Sequence, residues 1–346
     1  MIKVLIVDDS IVVRDFLTYI FSSDPQIMVV GAIDSGIKAV DMIRLTKPDV
    51  VTMDLHMPQM DGFETTRVIM EQAPTPIVVV SESIRIMDTT FSFSVLEAGA
   101  LAVLLRPPSL SHPDFLTAKK ELIETVKTMA EVKVVRRINR KMSEPKNTFE
   151  NNKVLPKPLP GVRIIAIGAS TGGPQTLQKI FSGLPPGLPF SFLVVQHISP
   201  GFSNGFRDWL QGSSRVHFKT GENGERLVPG MAYLAPEGFH MGILNNKIML
   251  SSDPPVFGIR PTIDFLFRSL ALSSGPESLG ILLTGMGKDG SEALKLMKEK
   301  GALTIAQDQE SSIVFGMPDE AIKLGAADYI LPPDKIMEMI IRIGKI

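Results

Sequence analysis

A serine flanked by glycines and three aspartates are the residues of this chain best equipped to do chemistry. The run Gly168-Ala169-Ser170-Thr171-Gly172 fits G-x-S-x-G and follows the apolar stretch RIIAI, so a sharp strand-to-helix turn would present the Ser170 hydroxyl above a sheet edge. The helix that begins there offers backbone N–H groups to a developing oxyanion. Asp8 and Asp9 end the strand-like KVLIV, and Asp54 ends DVVTM. Three carboxylates at close range repel one another and call for a hard divalent cation, for which oxygen ligands suit Mg2+. One constellation is suited to attack on a carbonyl, the other to uptake of a phosphoryl group.

A serine is a poor nucleophile without a base, and the five histidines limit the choice. His56 and His112 lie in the first part of the chain, His217 sits inside the alternation VHF, and His240 follows a turn. His197 directly follows FLVVQ, a strand expected beside the one that carries Ser170. The acid comes from LLTGMGKDG, where Asp289 would accept the Nδ1 proton of His197, fix its tautomer and stabilise the imidazolium. That loop also spells G-x-G-x-x-G, with Asp308 and Glu310 roughly 20 residues on, which raises a dinucleotide site and a nicotinamide-dependent oxidoreductase. Against this, the strand lies late in its domain, and Lys288 and Asp289 occupy the turn where a pyrophosphate needs small neutral residues. No lysine follows the glycines around Ser170 as a Walker A loop requires.

The elements that must position these residues alternate strand and helix. KVLIV, MVVGAI, DVVTMD, PIVVVS and ALAVLL are separated by amphipathic stretches, which predicts five β-α units in a parallel sheet with helices on both faces. The segment from Asp114 to Lys141 keeps helical spacing through Leu116, Leu122, Ile123, Val126 and Met129 before turning basic. Residues 142–160 lack apolar periodicity and are rich in Pro, Asn and Lys, as a linker would be. VRIIAIG, FSFLVVQH, LGILLTG and ALTIAQ then alternate with helices in a second mainly parallel α/β layout. The expected organisation is a doubly wound domain over 1–125, a helix extension and linker over 126–160, and a second doubly wound domain over 161–346. In such sheets ligands collect beyond the carboxyl ends of the strands, where Ser170, His197 and Asp289 fall.

Composition narrows the classes. The 346 residues exceed one compact core, and 36 basic against 37 acidic residues give no global field for nucleic acid or an anionic membrane. Zero cysteines exclude thiol nucleophiles, disulfides and Cys-based metal sites together. The longest apolar runs are of core-strand length and no leader pattern precedes them, so the expected location is the cytoplasm without membrane insertion.

With Asp8, Asp9 and D-x-x-M-P-x-M-D-G around Asp54, residues 1–125 resemble the receiver domains of two-component signalling. The resemblance implies that Asp54 is the phosphoacceptor, that Asp8, Asp9, Asp54 and the backbone carbonyl of His56 hold the metal, and that Ser81 bonds the new phosphoryl oxygen. Receivers usually carry Lys-Pro after the fifth strand, whereas this chain has Arg106-Pro107. A planar guanidinium replaces a compact ammonium there. The motifs IGASTGGP, QHISPGF, RPTIDFLF, ILLTGMGKDG and VFGMP make residues 161–346 resemble the catalytic domain of the chemotaxis protein-glutamate methylesterases, the family that joins this domain to a receiver. That likeness implies nucleophile Ser170, base His197, orienting acid Asp289, support from Thr171 and an oxyanion-hole N–H from Met286, with no cofactor for the ester chemistry. It further implies methyl-accepting chemoreceptors as substrate, methanol as product, deamidation of glutamines as a related reaction, and a histidine kinase as phosphodonor. In that family the unphosphorylated receiver covers the active site. A non-catalytic adaptor, binding receptor without turnover, is the alternative from another class.

Overall fold

Short, mostly apolar runs rich in Val, Ile and Leu build both sheets. In a computed structural model, which describes residues 1–81, 93–132, 134, 161–256 and 258–345, the chain divides into two units, Met1–Val154 and Leu155–Ile346. The sequence-predicted linker over 142–160 lies outside the described residues.

In the first unit, β1 (Ile2–Val7), β2 (Ile27–Ile33), β3 (Val50–Met53), β4 (Ile77–Ser81) and β5 (Ala102–Leu105) form one sheet in the order β2-β1-β3-β4-β5. Every pairing in it is parallel. Both faces are covered, which is why β3 and β4 are buried along their whole lengths and read as continuous apolar runs. The helices are α1 (Ile11–Ser22), α2 (Ala39–Thr46), α3 (Gly62–Gln72) and α4 (Phe115–Ala130), and residues 93–98 are also helical. α3 starts where it does because Asp61 caps it, its carboxylate accepting the Glu64 N–H at 2.8 Å. α4 continues past position 125, with Val126 and Met129 buried in this unit's core.

The second unit holds a seven-stranded sheet, again parallel throughout, in the order β14-β13-β12-β6-β7-β9-β8. Its strands are β6 (Ile164–Ala169), β7 (Ser191–Gln196), β8 (His217–Thr220), β9 (Met231–Leu234), β12 (Ser278–Leu282), β13 (Leu303–Gln307) and β14 (Tyr329–Leu331). The intervening β10 (His240–Leu244) and β11 (Lys247–Ser251) leave the sheet and form an antiparallel hairpin. From β6 the chain first winds outward through β7, then returns to pair β12 on the opposite side of β6. The reversal of winding opens a crevice between the carboxyl ends of β6 and β12.

Two cores lock this sheet. Near α5 (Gly173–Ser182), Phe181 meets Phe192 and Phe218 edge to face, with ring centroids 5.1 and 4.8 Å apart, fixing helix against strand. A second cluster joins Leu193 and Val195 of β7 to Ile263, Leu266, Phe267 and Leu270 of α7 (Ile263–Ser273). Each such side chain contributes roughly 1.5–3 kcal/mol on full burial. The burial of α7 brings its N-terminus to the carboxyl end of the sheet. The remaining helices are α6 (Ser203–Ser213), α8 (Ser291–Glu299), α9 (Met317–Lys323) and α10 (Pro333–Ile343). Among the described residues no helix is long and apolar enough to cross a membrane.

Candidate functional site

The serine turn is as short as its motif predicts: Ser170, Thr171 and Gly172 alone separate β6 from α5. Ser170 O accepts the Gly173 N–H at 2.8 Å, and Gly172 adopts φ +77 to enter the helix. Register brings in the histidine. Ala169 pairs Gln196 across β6 and β7, and the His197 N–H donates to Ala169 O at 3.0 Å, so His197 and Ser170 leave neighbouring strands at the same level.

Asp289 comes from the loop after β12 and lies 2.9 Å from His197, both side chains about one-seventh exposed. The bond differs from expectation in one atom: it uses Nε2 of His197, not Nδ1. An ionised carboxylate can only accept, so Nε2 carries the proton and Nδ1 keeps the basic lone pair. Triad logic is unchanged by the exchange of nitrogens. Among the described residues no hydrogen bond joins Ser170 Oγ to His197, so the structure closes the His197–Asp289 link and leaves the Ser170–His197 link open. Such links commonly tighten only with substrate bound.

Asp289 is held by a device invisible in its own loop. The Ile263 and Asp264 N–H groups, at the start of α7, donate to its two oxygens at 2.7 and 3.0 Å. Helix starts carry unsatisfied donors and the positive end of the helix dipole, and here a carboxylate from a distant loop caps them. Burial alone would raise the Asp289 pKa, but the His197 bond and charge, with the Ile263 and Asp264 amides, hold it below the ordinary carboxylate value. His240 steadies the cap from behind. It is buried, its Nδ1 lies 3.2 and 3.1 Å from N and Oγ1 of Thr262, and its ring stacks on Phe265.

Two of the three motif glycines of the Asp289 loop, Gly285 and Gly290, have packing reasons. A Cβ on Gly285 would stand 2.6 Å from Cβ of Ser170, and one on Gly290, whose φ is +82, would collide with Ile263. Close approach to Ser170 and Ile263 accounts for two glycines of the sequence that also spells a dinucleotide fingerprint, and the third, Gly287, is required by its φ of +85. Thr284 ties the same loop to the serine: its carbonyl accepts the Ser170 N–H at 3.0 Å, and its Oγ1 lies 3.0 Å from Thr171 O. Gln307 in turn accepts the Thr284 N–H at 2.8 Å. Met286 sits in this loop with its side chain partly exposed, and Thr171 N–H has no backbone acceptor among the described residues.

The first unit gathers its own predicted residues. Side-chain oxygens of Asp8, Asp9 and Asp54 lie within 4.8 Å of one another. Burial raises the Asp8 pKa to about 6, helped by Asp54 and Asp9 and opposed by the Ser10 N–H and the Arg106 charge. Asp54 is raised as well, by burial first, despite N–H donation from Leu55 and His56. Converging oxygens with unrelieved like charge, one buried at Asp8, one half-buried at Asp54 and one exposed at Asp9, fit a hard divalent cation. Ser81 ends β4 fully buried, and Arg106 follows β5, donating its N–H to Ser81 O at 2.8 Å.

Comparison with known proteins decides between the chemistries. Residues 165–340, half of the chain, match the CheB methylesterase family model, and residues 4–112 match that of the response regulator receiver domain. The chain belongs to the CheB methylesterase family. It is a carboxylic ester hydrolase joined to a receiver. The methylesterase is 47% identical to the protein-glutamate methylesterase/protein-glutamine glutaminase of Nitrosospira multiformis, over 97% of this chain and 95% of that one. It is 37% identical to the protein of the same description from Pyrococcus horikoshii, over 100% of this chain and 94% of that one. Among solved structures, the CheB methylesterase catalytic domain of Thermotoga maritima is 39% identical with a TM-score of 0.51, covering 53% of this chain and 98% of that domain.

Sequence reasoning missed Gln196, Thr262, Thr284 and Gln307, all buried polar residues beside the site. The one available signal was their polarity at strand ends or within otherwise apolar segments.

Proposed function

We propose that Ser170, His197 and Asp289 are the catalytic triad of a phosphorylation-regulated enzyme that demethylates γ-methyl glutamyl esters on methyl-accepting chemoreceptors, adapting a chemotaxis pathway. The observation that carries this reading is the 2.9 Å bond between His197 and Asp289, one ladder step from Ser170. His197 Nδ1 takes the Ser170 proton while Oγ attacks the ester carbonyl. The oxyanion is held by the N–H groups of Thr171 and Met286, each worth ~3 kcal/mol of barrier. Collapse breaks the carbonyl–methoxy bond, and His197 returns the proton so that methanol leaves. Water then attacks the acyl group, its proton passing to His197 and on to Ser170 Oγ, which frees the receptor carboxylate. On a glutamine side chain the same steps release ammonia, in line with the double name of the relatives.

In the receiver, Asp54 attacks the phosphorus of a phosphohistidine on a sensor kinase as the P–N bond breaks. Asp8, Asp9, Asp54 and the His56 carbonyl would hold Mg2+, which offsets the negative charge gathered there. Ser81 bonds the transferred phosphoryl group and Arg106 supplies the fixed cation. In this reading residues 1–125 are the receiver, 126–160 the helix extension and linker, and 161–346 the catalytic domain of a cytoplasmic protein.

Methanol release from methylated receptor, with and without a small phosphodonor, tests both halves. Ser170→Ala should abolish release while the protein remains folded, and retained turnover would remove the triad. Asp54→Asn should lose all stimulation by phosphodonor. Stimulation equal to wild type would refute the regulatory half.

A further inference from the structure

We propose that Gln196 is a positioning residue whose side-chain amide ties the Ser170 loop to the His197 loop. The inference rests on the triad reading above.

The last ladder rung between β6 and β7 is the His197 N–H bond to Ala169 O. Beyond it the two chains part, one into α5 and the other towards α6, so the sheet itself no longer fixes Ser170 relative to His197. Gln196 supplies a further rung. Its Nε2 donates to Ser170 O at 2.9 Å and to His197 O at 2.7 Å. Both acceptors are carbonyls, which settles which end of the amide carries the hydrogens. One planar group therefore grips the carbonyls of the nucleophile and the base together.

The other end of that amide shows what it costs. Gln196 is only 7% exposed, and its Oε1 accepts from no protein group among the described residues. It packs against Gly173 so tightly that a Cβ there would collide with it. An unpaired buried acceptor is destabilising and offsets part of what the two Nε2 bonds contribute; an apolar side chain of similar volume would relieve that acceptor but leave both carbonyls without their amide donor. An amide retained where one end stays unpaired, and joining two candidate catalytic loops with the other, is placed for function. Misplacement of a reacting pair by about 1 Å costs on the order of a hundredfold in rate.

The test uses the full chain with phosphodonor, measuring kcat and KM for methanol release together with the thermal midpoint. Gln196→Met should lower kcat at least about thirtyfold, with KM within about twofold and the midpoint within a few degrees of wild type, because the two bonds lost and the unpaired acceptor removed largely offset. A kcat within about threefold of wild type overturns the inference, and so does a large fall in the midpoint or failure to fold, either of which would make the amide chiefly structural. Gln196→Glu keeps the shape but, when ionised, cannot donate to either carbonyl; when protonated it regains one donor. Its kcat relative to wild type should therefore rise as pH falls, while the ratio for Gln196→Met stays level. Level ratios for both would show that the amide hydrogens do not matter. Ser170→Ala run in parallel separates the two readings: turnover retained there sinks the triad itself. Loss of turnover there, with wild-type kcat in Gln196→Met, sinks only the role of Gln196.

Discussion

The two sheet edges of this chain hold buried carboxylates in opposite electrostatic states. At the receiver edge, burial and mutual repulsion push Asp8 up to about 6 and raise Asp54. At the esterase edge Asp289 feels burial too, yet the His197 bond and the two α7 amides hold it below its ordinary value. The difference lies in where the compensating positive groups come from. Asp289 finds them within its own chain, so its charge is fixed before any substrate arrives. The receiver cluster has Arg106 and a few backbone amides and remains under-compensated, which is what makes it responsive to an added cation or to phosphorylation.

The largest expected effect breaks the esterase side of this contrast. Asp289→Asn removes the charge that orients and stabilises His197, and kcat should fall by about 10³–10⁴. A loss below tenfold would mean that the α7 cap, not the carboxylate, does the orienting. The receiver side is tested by pH. Because the folded-state pKa of Asp8 is raised, ionisation opposes folding: the penalty is fully present above about 6 and is relieved as pH falls through that value towards 3.8. A shift of this size corresponds to about 3 kcal/mol. Calorimetry of metal-free protein should place the first unit's unfolding midpoint higher at pH 5 than at pH 7.5, with Mg2+ reversing the order. Asp8→Asn should flatten this dependence while abolishing phosphorylation; an unaltered pH slope would show that the strain resides elsewhere. The smallest effect sharpens the comparison within the esterase. Thr284→Val keeps the backbone bond to Ser170 but loses the hydroxyl contacts around Thr171 and Val314, for about 1 kcal/mol of stability and a several-fold drop in kcat. Wild-type kcat in that variant would exclude Thr284 from the support of the serine turn.

The alternation of strands and helices was legible because each β-α unit writes its own pattern. Asp8, Asp9, Asp54 and Ser170 were legible for the same reason, each standing where an apolar run stops. Their convergence followed from the rule that parallel sheets gather ligands at one edge, and the structure places Ser170, His197 and Asp289 on that edge. What could not be read was long-range. Thr262 stands at an ordinary helix start, and nothing near it says that Asp289 supplies the cap. The choice of Nε2 over Nδ1 depends on how β7 delivers the ring against a loop from β12. Gln196 looked like a polar end to an apolar strand, and its grip on two carbonyls appears only once β6 lies beside it. Gly285 and Gly290 misled in the other direction, since a fingerprint for nucleotides and a need for close loop packing call for the same residue.

The return of β12 to the open side of β6 has a consequence for how the protein is made. The edge of β6 stays without a partner on that side until residues 278–282 have left the ribosome. Until then the nascent chain exposes an apolar strand edge open to mispairing, and Ser170 lacks the carbonyl of Thr284 that anchors its amide. A truncated product ending before β12 is therefore expected to be both inert and prone to aggregate, so hydrolytic power arrives only when the last fifth of the chain has been synthesised and has folded back onto β6.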